Sequence, residues 1–385
     1  MTRKLRVGLI FGGRSGEHEV SLLSARGVMS AIDRTKYEIV PIGITKDGRW
    51  LASGDPMKAL SSGVATESYP ALLLAEPSPR GLMRLEGREQ ERALLAVQVS
   101  QLDVVFPILH GPYGEDGTVQ GLLELAGIPY VGAGVTASAV GMDKALFKDM
   151  MRAHGLPVVP YLVIKRKVWE QAPEATIAQI EAEIGYDCFT KPANLGSSVG
   201  IAKAHNRAEL RLALADAARY DRKLLVEMAV DGREIEVSVL GNDEPVASVP
   251  GEIVPSNEFY DYAAKYLDDA SQLFIPAPIP PETAELVRRL AVEAYLAIDC
   301  AGMARADFLL DRQTGQVYLS ELNTLPGFTP ISMYPKLWEA SGISYTELID
   351  RLVELALERH ADKDRSATKY QVPERKQGHA DRPGE

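Results

Sequence analysis

Positively charged residues are in the minority in this chain of 385 residues: 42 Lys and Arg stand against 53 Asp and Glu, a formal net charge of −11. A broad positive field is therefore missing, which argues against a surface for nucleic acids or anionic membranes. A small basic pocket inside an acidic shell stays compatible with these numbers. The length itself predicts two or three domains.

Cysteine is scarce as well, because the chain has only Cys188 and Cys300, both inside apolar stretches. Two cysteines cannot form the dense disulfide framework of small secreted domains, so a reducing cytoplasm is the simpler setting. A catalytic thiol would need a histidine partner, and none lies near either cysteine in the sequence. We interpret both as small buried hydrophobic residues, and we expect a cytoplasmic protein.

Long apolar runs and the common nucleotide signatures are also missing. No stretch approaches the ~18 uncharged apolar residues of a transmembrane helix. The short apolar run at residues 7–11 ends in Gly-Gly-Arg-Ser without a signal-peptide cleavage site, so we expect no membrane association. Neither G-x-x-x-x-G-K-[ST] nor G-x-G-x-x-G occurs, and the usual zinc motifs are absent from the sequence.

What the chain does contain is an alternation of strand and helix patterns, which indicates an α/β fold. A buried strand at residues 7–11 leads through Gly-Gly into a helical pattern at 20–32, with Ser21 as its expected cap. A second strand follows, and this order predicts a parallel-sheet, Rossmann-like domain over residues 1–135. Between residues 53 and 93 the pattern weakens, which indicates a long excursion with local elements.

Two smaller modules with short strands and helices are predicted after this domain, over residues 136–232 and 233–361. An amphipathic helix is expected at residues 137–154. Residues 255–273 are polar and Tyr-rich, which is typical of a lid loop between regular elements. Residues 362–385 are rich in charge and lack an apolar period, so we expect a disordered tail.

The most informative stretch is Lys191-Pro-Ala-Asn-Leu-Gly-Ser-Ser-Val-Gly200, in which a lysine ends a strand and a Gly/Ser-rich loop follows. Successive backbone N–H groups in such a loop can form a nest for an anion, and the lysine adds a point charge for phosphate. The alternative is a flexible hairpin with a solvated lysine. The loop alone leaves both interpretations open.

Residues 304–323 predict a β-hairpin that carries polar side chains in an apolar context. Arg305 and Asp307 are two apart on its first strand, and Glu321 and Asn323 are two apart on its second. Each pair therefore shares one face of the sheet. Two carboxylates and an amide oxygen suit Mg²⁺ or Mn²⁺ better than zinc. A surface network of salt bridges is the alternative, but an acidic cluster among core-type residues favours the metal.

Two Gly-rich turns, Gly12–Glu19 and His110–Gly117, follow buried strands, where ligands bind in open α/β sheets. A lone histidine is most often structural, but two such turns with ionisable residues favour a substrate cleft. In the Tyr-rich loop, aromatic residues around Lys265 indicate a lid that closes over an anion. The alternative for that loop is an exposed aromatic surface.

Together these residues describe a cleft with several cations, a metal cluster, an anion-binding loop and a lid, as ATP-driven phosphoryl transfer requires. From about residue 5 to residue 359 the chain resembles the D-alanine–D-alanine ligases of the ATP-grasp superfamily. The resemblance rests on seven motifs in order: Gly12-Gly13…Glu17-His-Glu-Val-Ser21, His110-Gly…Gly-Glu-Asp-Gly117, Met142-Asp-Lys144, Lys191-Pro…Gly-Ser-Ser-Val-Gly200, Tyr260-Asp-Tyr…Lys-Tyr266, Arg305-Ala-Asp307 and Glu321-Leu-Asn-Thr-Leu-Pro-Gly-Phe-Thr329.

The resemblance implies a three-module ATP-grasp architecture, with an N-terminal parallel-sheet domain and two α+β modules that sandwich ATP. It implies that ATP activates one D-alanine as D-alanyl phosphate, which a second D-alanine attacks, for the synthesis of peptidoglycan precursors. ATP would be held by Lys144, Lys191, Glu227 near the adenine, and Glu234 near the ribose. Two Mg²⁺ or Mn²⁺ ions would be held by Asp307, Glu321 and Asn323.

The remaining implied roles concern the two amino acids. Glu17 would bind the ammonium group of the first D-alanine, with His110 near its carboxylate. Ser197 and Tyr266 would link to Glu17 and lock the lid, while Arg305 and the N–H of Gly327 would stabilise the oxyanion. The carboxylate of the second D-alanine would meet Lys265 and Ser332. The resemblance also implies a homodimer.

Some features depart from this pattern or leave room for other functions. Residues 71–93 look like an insertion, and Met228 stands beside Glu227 where polar residues are common in the family. The resemblance of Tyr260-Asp-Tyr…Lys-Tyr266 to the dipeptide-forming members of the family also implies D-alanine over D-lactate as second substrate. The alternatives are a D-alanine–D-lactate ligase, another ATP-grasp enzyme such as a carboxylase, and a non-catalytic nucleotide-binding regulator.

Overall fold

The computed structural model describes residues 3–62, 68–77, 81–88, 93–196, 199–254 and 272–367. Within these residues the chain forms three sheets with helices on their faces. Three of the predicted site residues, Ser197, Lys265 and Tyr266, lie outside the described residues, as do all but two residues of the predicted lid.

The first sheet has seven strands in the order β6-β5-β4-β3-β2-β1-β7. Strand β1 pairs in parallel with β2 and β7 at one end of the sheet, whereas β3 to β6 continue the sheet in antiparallel fashion. The predicted parallel pairing is therefore confined to the β7 end of the sheet. The short connections from β2 to β3, from β4 to β5 and from β5 to β6 permit only antiparallel pairing. The strands are β1 (Leu5–Gly12), β2 (Tyr37–Ile44), β3 (Trp50–Ala52), β4 (Tyr69–Leu73), β5 (Gly81–Arg88), β6 (Ala93–Gln101) and β7 (Val104–Ile108).

Helices α1 (His18–Ala31), α2 (Pro56–Ser62) and α3 (Thr118–Leu125) accompany this sheet, whereas α4 (Val135–Met142) packs in the core of the third sheet. The prediction that Ser21 caps the first helix is wrong, because α1 begins three residues earlier. The hydroxyl of Ser21 instead accepts a hydrogen bond from the N–H of Gly12 at 2.7 Å and donates one to the carbonyl of Ile108. Ser21 thereby ties α1 to the carboxyl ends of β1 and β7.

The second sheet is antiparallel, in the order β10-β9-β11-β8. The helix expected at residues 137–154 is interrupted at Asp143, whose backbone is extended and whose carboxylate accepts hydrogen bonds from Ala145 N and Leu146 N. This side-chain cap starts a new helix. The elements are α5 (Lys144–Ala153), β8 (Tyr161–Lys165), α6 (Arg166–Gln171), α7 (Pro173–Glu183), β9 (Cys188–Pro192), β10 (Ala202–Ala204), α8 (Arg207–Tyr220) and β11 (Lys223–Met228).

The third sheet follows the order β15-β14-β12-β16-β17, with β13 paired to β12. The last helix of the chain in the described residues ends at Lys363 and so includes the first two residues of the predicted tail; residues 368–385 lie outside the described part of the chain. The elements are β12 (Gly232–Gly241), β13 (Val246–Ala247), β14 (Gly251–Val254), β15 (Gln272–Phe274), α9 (Pro281–Ala297), β16 (Gly302–Asp311), β17 (Val317–Asn323), α10 (Met333–Ala340) and α11 (Tyr345–Lys363).

The first and third sheets share one hydrophobic core. Its centre is the ring of Phe328, which follows β17 and lies 5.7 Å from the ring of Phe106 on β7 and 5.5 Å from that of Tyr334 on α10. Residues of α11 complete the same core. The loop that carries Phe328 is therefore held against the end of β7, which matters for the cleft described below.

Both cysteines are buried and free, as the sequence predicts. Burial raises the pKa of Cys188 to about 11 and that of Cys300 to about 12, so neither thiol is a nucleophile near neutral pH. Among the helices in the described part of the chain, none combines the length and apolar character needed to cross a bilayer.

Candidate active site

Two adjoining cavities lie between the sheets, with volumes of about 750 Å³ and 850 Å³. They share a wall that includes Lys144, Glu236, Arg305 and Glu321. The first cavity extends toward α1 and the loop after β17, and the second extends between the second and third sheets. A small molecule in one would therefore meet a molecule in the other at these charged side chains.

All twelve predicted site residues within the described part of the chain line one cavity or the other. The first cavity is lined by Glu17, His110, Lys144, Arg305, Glu321, Asn323, Gly327 and Ser332. The second is lined by Lys144, Lys191, Glu227, Glu234, Arg305, Asp307 and Glu321. Residues as far apart in the sequence as Glu17 and Ser332 thus come together at one cleft.

The predicted hairpin forms, and it brings its four polar side chains together. Arg305 lies opposite Asn323, and Asp307 lies opposite Glu321, with a bulge after Asp307. The guanidinium of Arg305 donates from Nε and Nη2 to the two oxygens of Asp307, each at 2.7 Å. It also lies 3.0 Å from Glu236 Oε2 on β12. Burial works against the charge of Arg305, but Asp307 and Glu236 raise its pKa well above the ordinary value.

The donor chemistry of this hairpin fits a hard divalent cation. Asp307 and Glu321 are partly buried carboxylates on paired strands, and Asn323 donates through Nδ2 to Asp307 Oδ2 at 2.9 Å. In the described residues no three His, Cys, Asp or Glu side chains gather as a metal site. Two carboxylates and an amide suit a cation such as Mg²⁺, which takes its other ligands from phosphates and water.

Lys144, the first residue of α5, is held between this hairpin and the Gly-rich loop. Its Nζ donates to the carbonyl of Leu195 at 2.9 Å and lies 3.5 Å from Glu321 Oε2. The loop is fixed at its base by Asn194, whose Nδ2 donates to the capping carboxylate of Asp143 at 3.2 Å. The predicted anion nest is described only in part, because Ser197 and Ser198 lie outside the described residues.

Glu227 at the end of β11 is enclosed by two lysines. Lys191 contacts one carboxylate oxygen, and Lys148 Nζ lies 3.1 Å from the other. Burial alone would raise the pKa of Glu227, but the two ammonium groups lower it to about 2. The carboxylate is therefore ionised at any physiological pH and can act only as a hydrogen-bond acceptor.

Glu17 sits at the junction of two glycine-containing loops. A β-carbon at Gly111 would lie 2.6 Å from Glu17 Oε2, and one at Gly196 would lie 2.9 Å from the same oxygen. Both positions therefore need glycine for the carboxylate to reach the cavity wall. Ser15 supports the turn, because its hydroxyl donates to the carbonyl of His110 and accepts from Glu17 N at 3.2 Å. Glu17 thus joins the first sheet to the Gly-rich loop after β9.

Glu115 is a further carboxyl group in the wall of the first cavity. Its Oε2 accepts a hydrogen bond from Gly111 N at 2.5 Å. Burial, helped by the nearby charge of Glu17, raises the pKa of Glu115 from 4.5 to about 8. At neutral pH the folded protein therefore holds a proton on this group that the unfolded chain releases.

This raised pKa predicts a measurable stability effect in the Glu115→Gln variant. Stability falls with rising pH wherever the folded state binds more protons than the unfolded state. For Glu115 that interval runs from pH 4.5 to about 8. The neutral amide removes this contribution, so the free energy of unfolding should decline less between pH 5 and 8.5 in the variant than in the wild type. Urea unfolding at both pH values measures it, and an unchanged decline would contradict the assignment.

His110 is buried and uses both ring nitrogens within the protein. Nδ1 lies 3.1 Å from the carbonyl of Leu325, so this nitrogen carries the hydrogen, and burial lowers the pKa of the ring. Nε2 is then an acceptor for the hydroxyl of Ser24 at 3.1 Å, and Ser24 Oγ accepts from Phe328 N at 3.2 Å. The chain of hydrogen bonds fixes the loop that carries Gly327. A substrate carboxylate would have to find other donors.

Loss of this chain should slow turnover without unfolding the protein. Ser24→Ala leaves Phe328 N and His110 Nε2 without their shared partner, and we expect kcat to fall about 5- to 10-fold, as one buried hydrogen bond suggests. Ser62→Ala on α2 is the matched control, because Ser62 lines neither cavity of the described structure and its Oγ donates to the carbonyl of Lys58 at 2.8 Å within that helix. Equal kcat values for the two variants would show that the chain does not position the loop.

Ser332 lies at the start of α10, beside Gly327. A β-carbon at Gly327 would lie 2.9 Å from Ser332 Oγ, so the loop depends on glycine at this point. Ser332 Oγ accepts from Thr329 N at 3.0 Å and lies 2.7 Å from Thr329 Oγ1. The Gly327 backbone and the Ser332 hydroxyl thus form one polar corner of the first cavity.

Four residues were not predicted from the sequence: Glu115 and Glu236, which line the cleft, and Ser24 and Lys148, which contact its lining residues from behind. Two of them carried a local signal. Lys148 follows Lys144 by one helical turn, and Glu236 follows Glu234 on the same face of a strand with apolar neighbours. Glu115 belongs to the His110–Gly117 motif, but no role was predicted for it. Ser24 could not be found locally, because its partners are 86 and 304 residues away.

Comparison with known proteins agrees with this arrangement. Family models described as "D-ala D-ala ligase N-terminus" and "D-ala D-ala ligase C-terminus" match residues 6–133 and 150–354. A protein named D-alanine–D-alanine ligase from Heliobacterium modesticaldum is 53% identical, covering 95% of this chain and 98% of the relative. One of the same name from a Thermoanaerobacter species is 54% identical over 94% of this chain and 99% of its own length.

Solved structures extend the likeness to the fold. The D-alanine-D-alanine ligase from Coxiella burnetii superposes with a TM-score of 0.80 at 34% identity, covering 94% of this chain and 97% of its own. The VanG D-Ala:D-Ser ligase from Enterococcus faecalis has the same TM-score at 35% identity, covering 92% and 100%. These neighbours confirm the predicted fold class.

Proposed function

Because the chain belongs to the D-alanine–D-alanine ligase family, we propose that it joins two molecules of D-alanine into D-alanyl-D-alanine while ATP becomes ADP and phosphate. A carboxylate near neutral pH is a poor electrophile, so it must first be activated. An oxygen of the first D-alanine attacks the γ-phosphorus, and ADP leaves. The deprotonated amine of the second D-alanine then attacks the carbonyl carbon. The bond from this carbon to the bridging oxygen breaks, phosphate leaves with that oxygen, and the nitrogen loses a proton to solvent as the amide forms.

In the first cavity, Glu17 binds the ammonium group of the first D-alanine. Arg305 and the N–H of Gly327 stabilise the charge that develops on the carbonyl oxygen, a contribution of about 3 kcal/mol per donor. Ser332 receives the carboxylate of the second D-alanine. His110 does not contact the substrate in this proposal; it positions the loop that carries Gly327 through its hydrogen bonds to Leu325 and Ser24. Lys265, Ser197 and Tyr266, outside the described residues, keep the roles that the family resemblance implies.

In the second cavity, Lys144 and Lys191 bind the phosphates of ATP as point charges. The ionised Glu227 accepts a hydrogen bond from the adenine amine, and Glu234 meets the ribose. Asp307, Glu321 and Asn323 would hold two Mg²⁺ or Mn²⁺ ions, which neutralise phosphate charge when bound. Arg305 remains fixed by Asp307 and Glu236, so its guanidinium is oriented before substrates arrive.

One observation carries this proposal: the two cavities meet at Lys144, Arg305 and Glu321. A nucleotide in one and an amino acid in the other would bring a phosphate and a carboxylate to the same wall. We further propose that the enzyme works in the cytoplasm as a homodimer and that its product serves peptidoglycan synthesis.

Coupled phosphate release with product analysis tests the function. The assay compares D-alanine, L-alanine and bicarbonate as sole substrates, and then D-serine and D-lactate as second substrates beside D-alanine. We expect release only when D-alanine is present, with D-alanyl-D-alanine as the main product. Phosphate release with bicarbonate alone would indicate a carboxylase. If the main product is a mixed dipeptide or a depsipeptide, the second substrate is D-serine or D-lactate and not D-alanine. No phosphate release would favour a non-catalytic regulator.

A further inference from the structure

Lys148 is a buried lysine that the proposed mechanism does not use. It lies on α5, one helical turn after Lys144, and is 1% exposed. Among the described residues, the carboxylate of Glu227 is its only ion-pair partner, at 3.1 Å. A lysine is almost never buried to this extent without a specific reason.

Lys148 and Lys191 differ in what they can reach. The side chain of Lys191 is 16% exposed and lines the second cavity, whereas that of Lys148 is 2% exposed and lines neither cavity in the described part of the structure. Only Lys191 can therefore reach a ligand. Lys148 lies behind Glu227, on the side away from the cavity.

The proposed function creates a difficulty that this arrangement resolves. Lys191 contacts both the cavity and Glu227, so a nucleotide phosphate would draw its charge away from the carboxylate. A buried carboxylate left without a cation is strongly unfavourable. With Lys191 as its only partner, Glu227 would either hold the lysine back from the phosphate or take up a proton.

We propose that Lys148 is the permanent counter-ion of Glu227, which frees Lys191 for the phosphates and keeps Glu227 as an acceptor for the 6-amino group of the base. Lys148 is thus a positioning residue for nucleotide affinity and base selectivity. The inference rests on the proposed function, because it takes Lys191 and Glu227 as nucleotide contacts. An acceptor-only carboxylate favours a 6-amino purine over a 6-oxo purine, whose carbonyl oxygen it repels.

The test measures steady-state kinetics of the full-length Lys148→Met variant with ATP and with ITP, which carries oxygen in place of the 6-amino group. We expect KM for ATP to rise at least about 30-fold, as loss of one partner of a buried ion pair suggests. We also expect kcat to change less than about 3-fold and the preference for ATP over ITP to shrink. Lys167→Met, at an exposed position of α6, is the matched control.

A double-mutant cycle with Glu227→Gln separates this inference from the proposed function. If Lys148 acts through Glu227, the double variant has the same KM for ATP as Glu227→Gln alone. If the KM increases of the two single variants instead multiply in the double variant, the two residues act independently and the inference is overturned. If Glu227→Gln leaves the KM for ATP unchanged, the assignment of Glu227 to the nucleotide site is wrong. If Glu227→Gln raises the KM for ATP but Lys148→Met does not, only the proposed role of Lys148 is wrong.

A folding defect in Lys148→Met would be detected by thermal unfolding. In that case Lys148→Gln, which keeps a donor without the charge, takes its place in the cycle, and a wild-type KM for ATP would overturn the inference. Lys148→Arg, which keeps the charge, should restore the KM toward the wild-type value.

Discussion

Glu321→Gln should lower kcat for D-alanine-dependent phosphate release by about 10³-fold while leaving the fold intact. The carboxylate lies at the wall between the two cavities, 3.5 Å from Lys144 Nζ and opposite Asp307. The amide keeps its shape but loses the charge that would hold a divalent cation near the phosphates. Thermal unfolding checks the fold, and the phosphate assay checks turnover.

Glu285→Gln is the control for this result. Glu285 is 72% exposed and pairs with Arg288 on the surface of α9. Exposed pairs of this kind contribute little to stability, so this variant should match the wild type in kcat and unfolding temperature. Retention of most activity in Glu321→Gln would show that this side chain does not belong to the reacting centre.

Arg305→Met should have the second large effect, on both stability and turnover. The guanidinium is the cation that Asp307 and Glu236 share in the shielded cleft. Its removal leaves two acids without this partner, and we expect the free energy of unfolding to fall by about 3–5 kcal/mol. Loss of the oxyanion donor should lower kcat by at least about 10²-fold. Urea unfolding and steady-state kinetics measure the two effects.

Arg305→Lys separates the structural effect from the catalytic one. Lysine restores the positive charge, so most of the stability should return. It cannot reproduce the planar fork that holds both oxygens of Asp307, so kcat should stay low. A Lys variant with wild-type kcat would contradict the assignment of Arg305 to the oxyanion.

The hairpin was predictable from the sequence because its information is local. Alternation places Arg305 and Asp307 on one face, and a short turn brings Glu321 and Asn323 opposite them. Only the orientation of the guanidinium, toward Glu236 on a third strand, required the folded structure. The burial of the two cysteines was predictable from the sequence as well, because each cysteine has apolar neighbours along the chain.

Contacts between distant segments could not be predicted in this way. Ser21 was assigned as a helix cap because serine favours such positions, but its hydroxyl satisfies the ends of two strands, one of them 87 residues away. The chain from His110 through Ser24 to Phe328 likewise joins three segments whose proximity depends on the shared core. At Asp143, one extended residue divides a helix that apolar periodicity alone would continue.

Transfer of labelled oxygen is the most direct test of the central claim, that the shared wall converts a carboxylate into an acyl phosphate. The enzyme turns over ATP with D-alanine that carries ¹⁸O in its carboxylate, and mass spectrometry examines the released phosphate. Because the carbon–oxygen bond breaks when the amine attacks, each phosphate should carry one oxygen from the carboxylate. Phosphate without label would mean that water attacks ATP directly, and it would contradict this account.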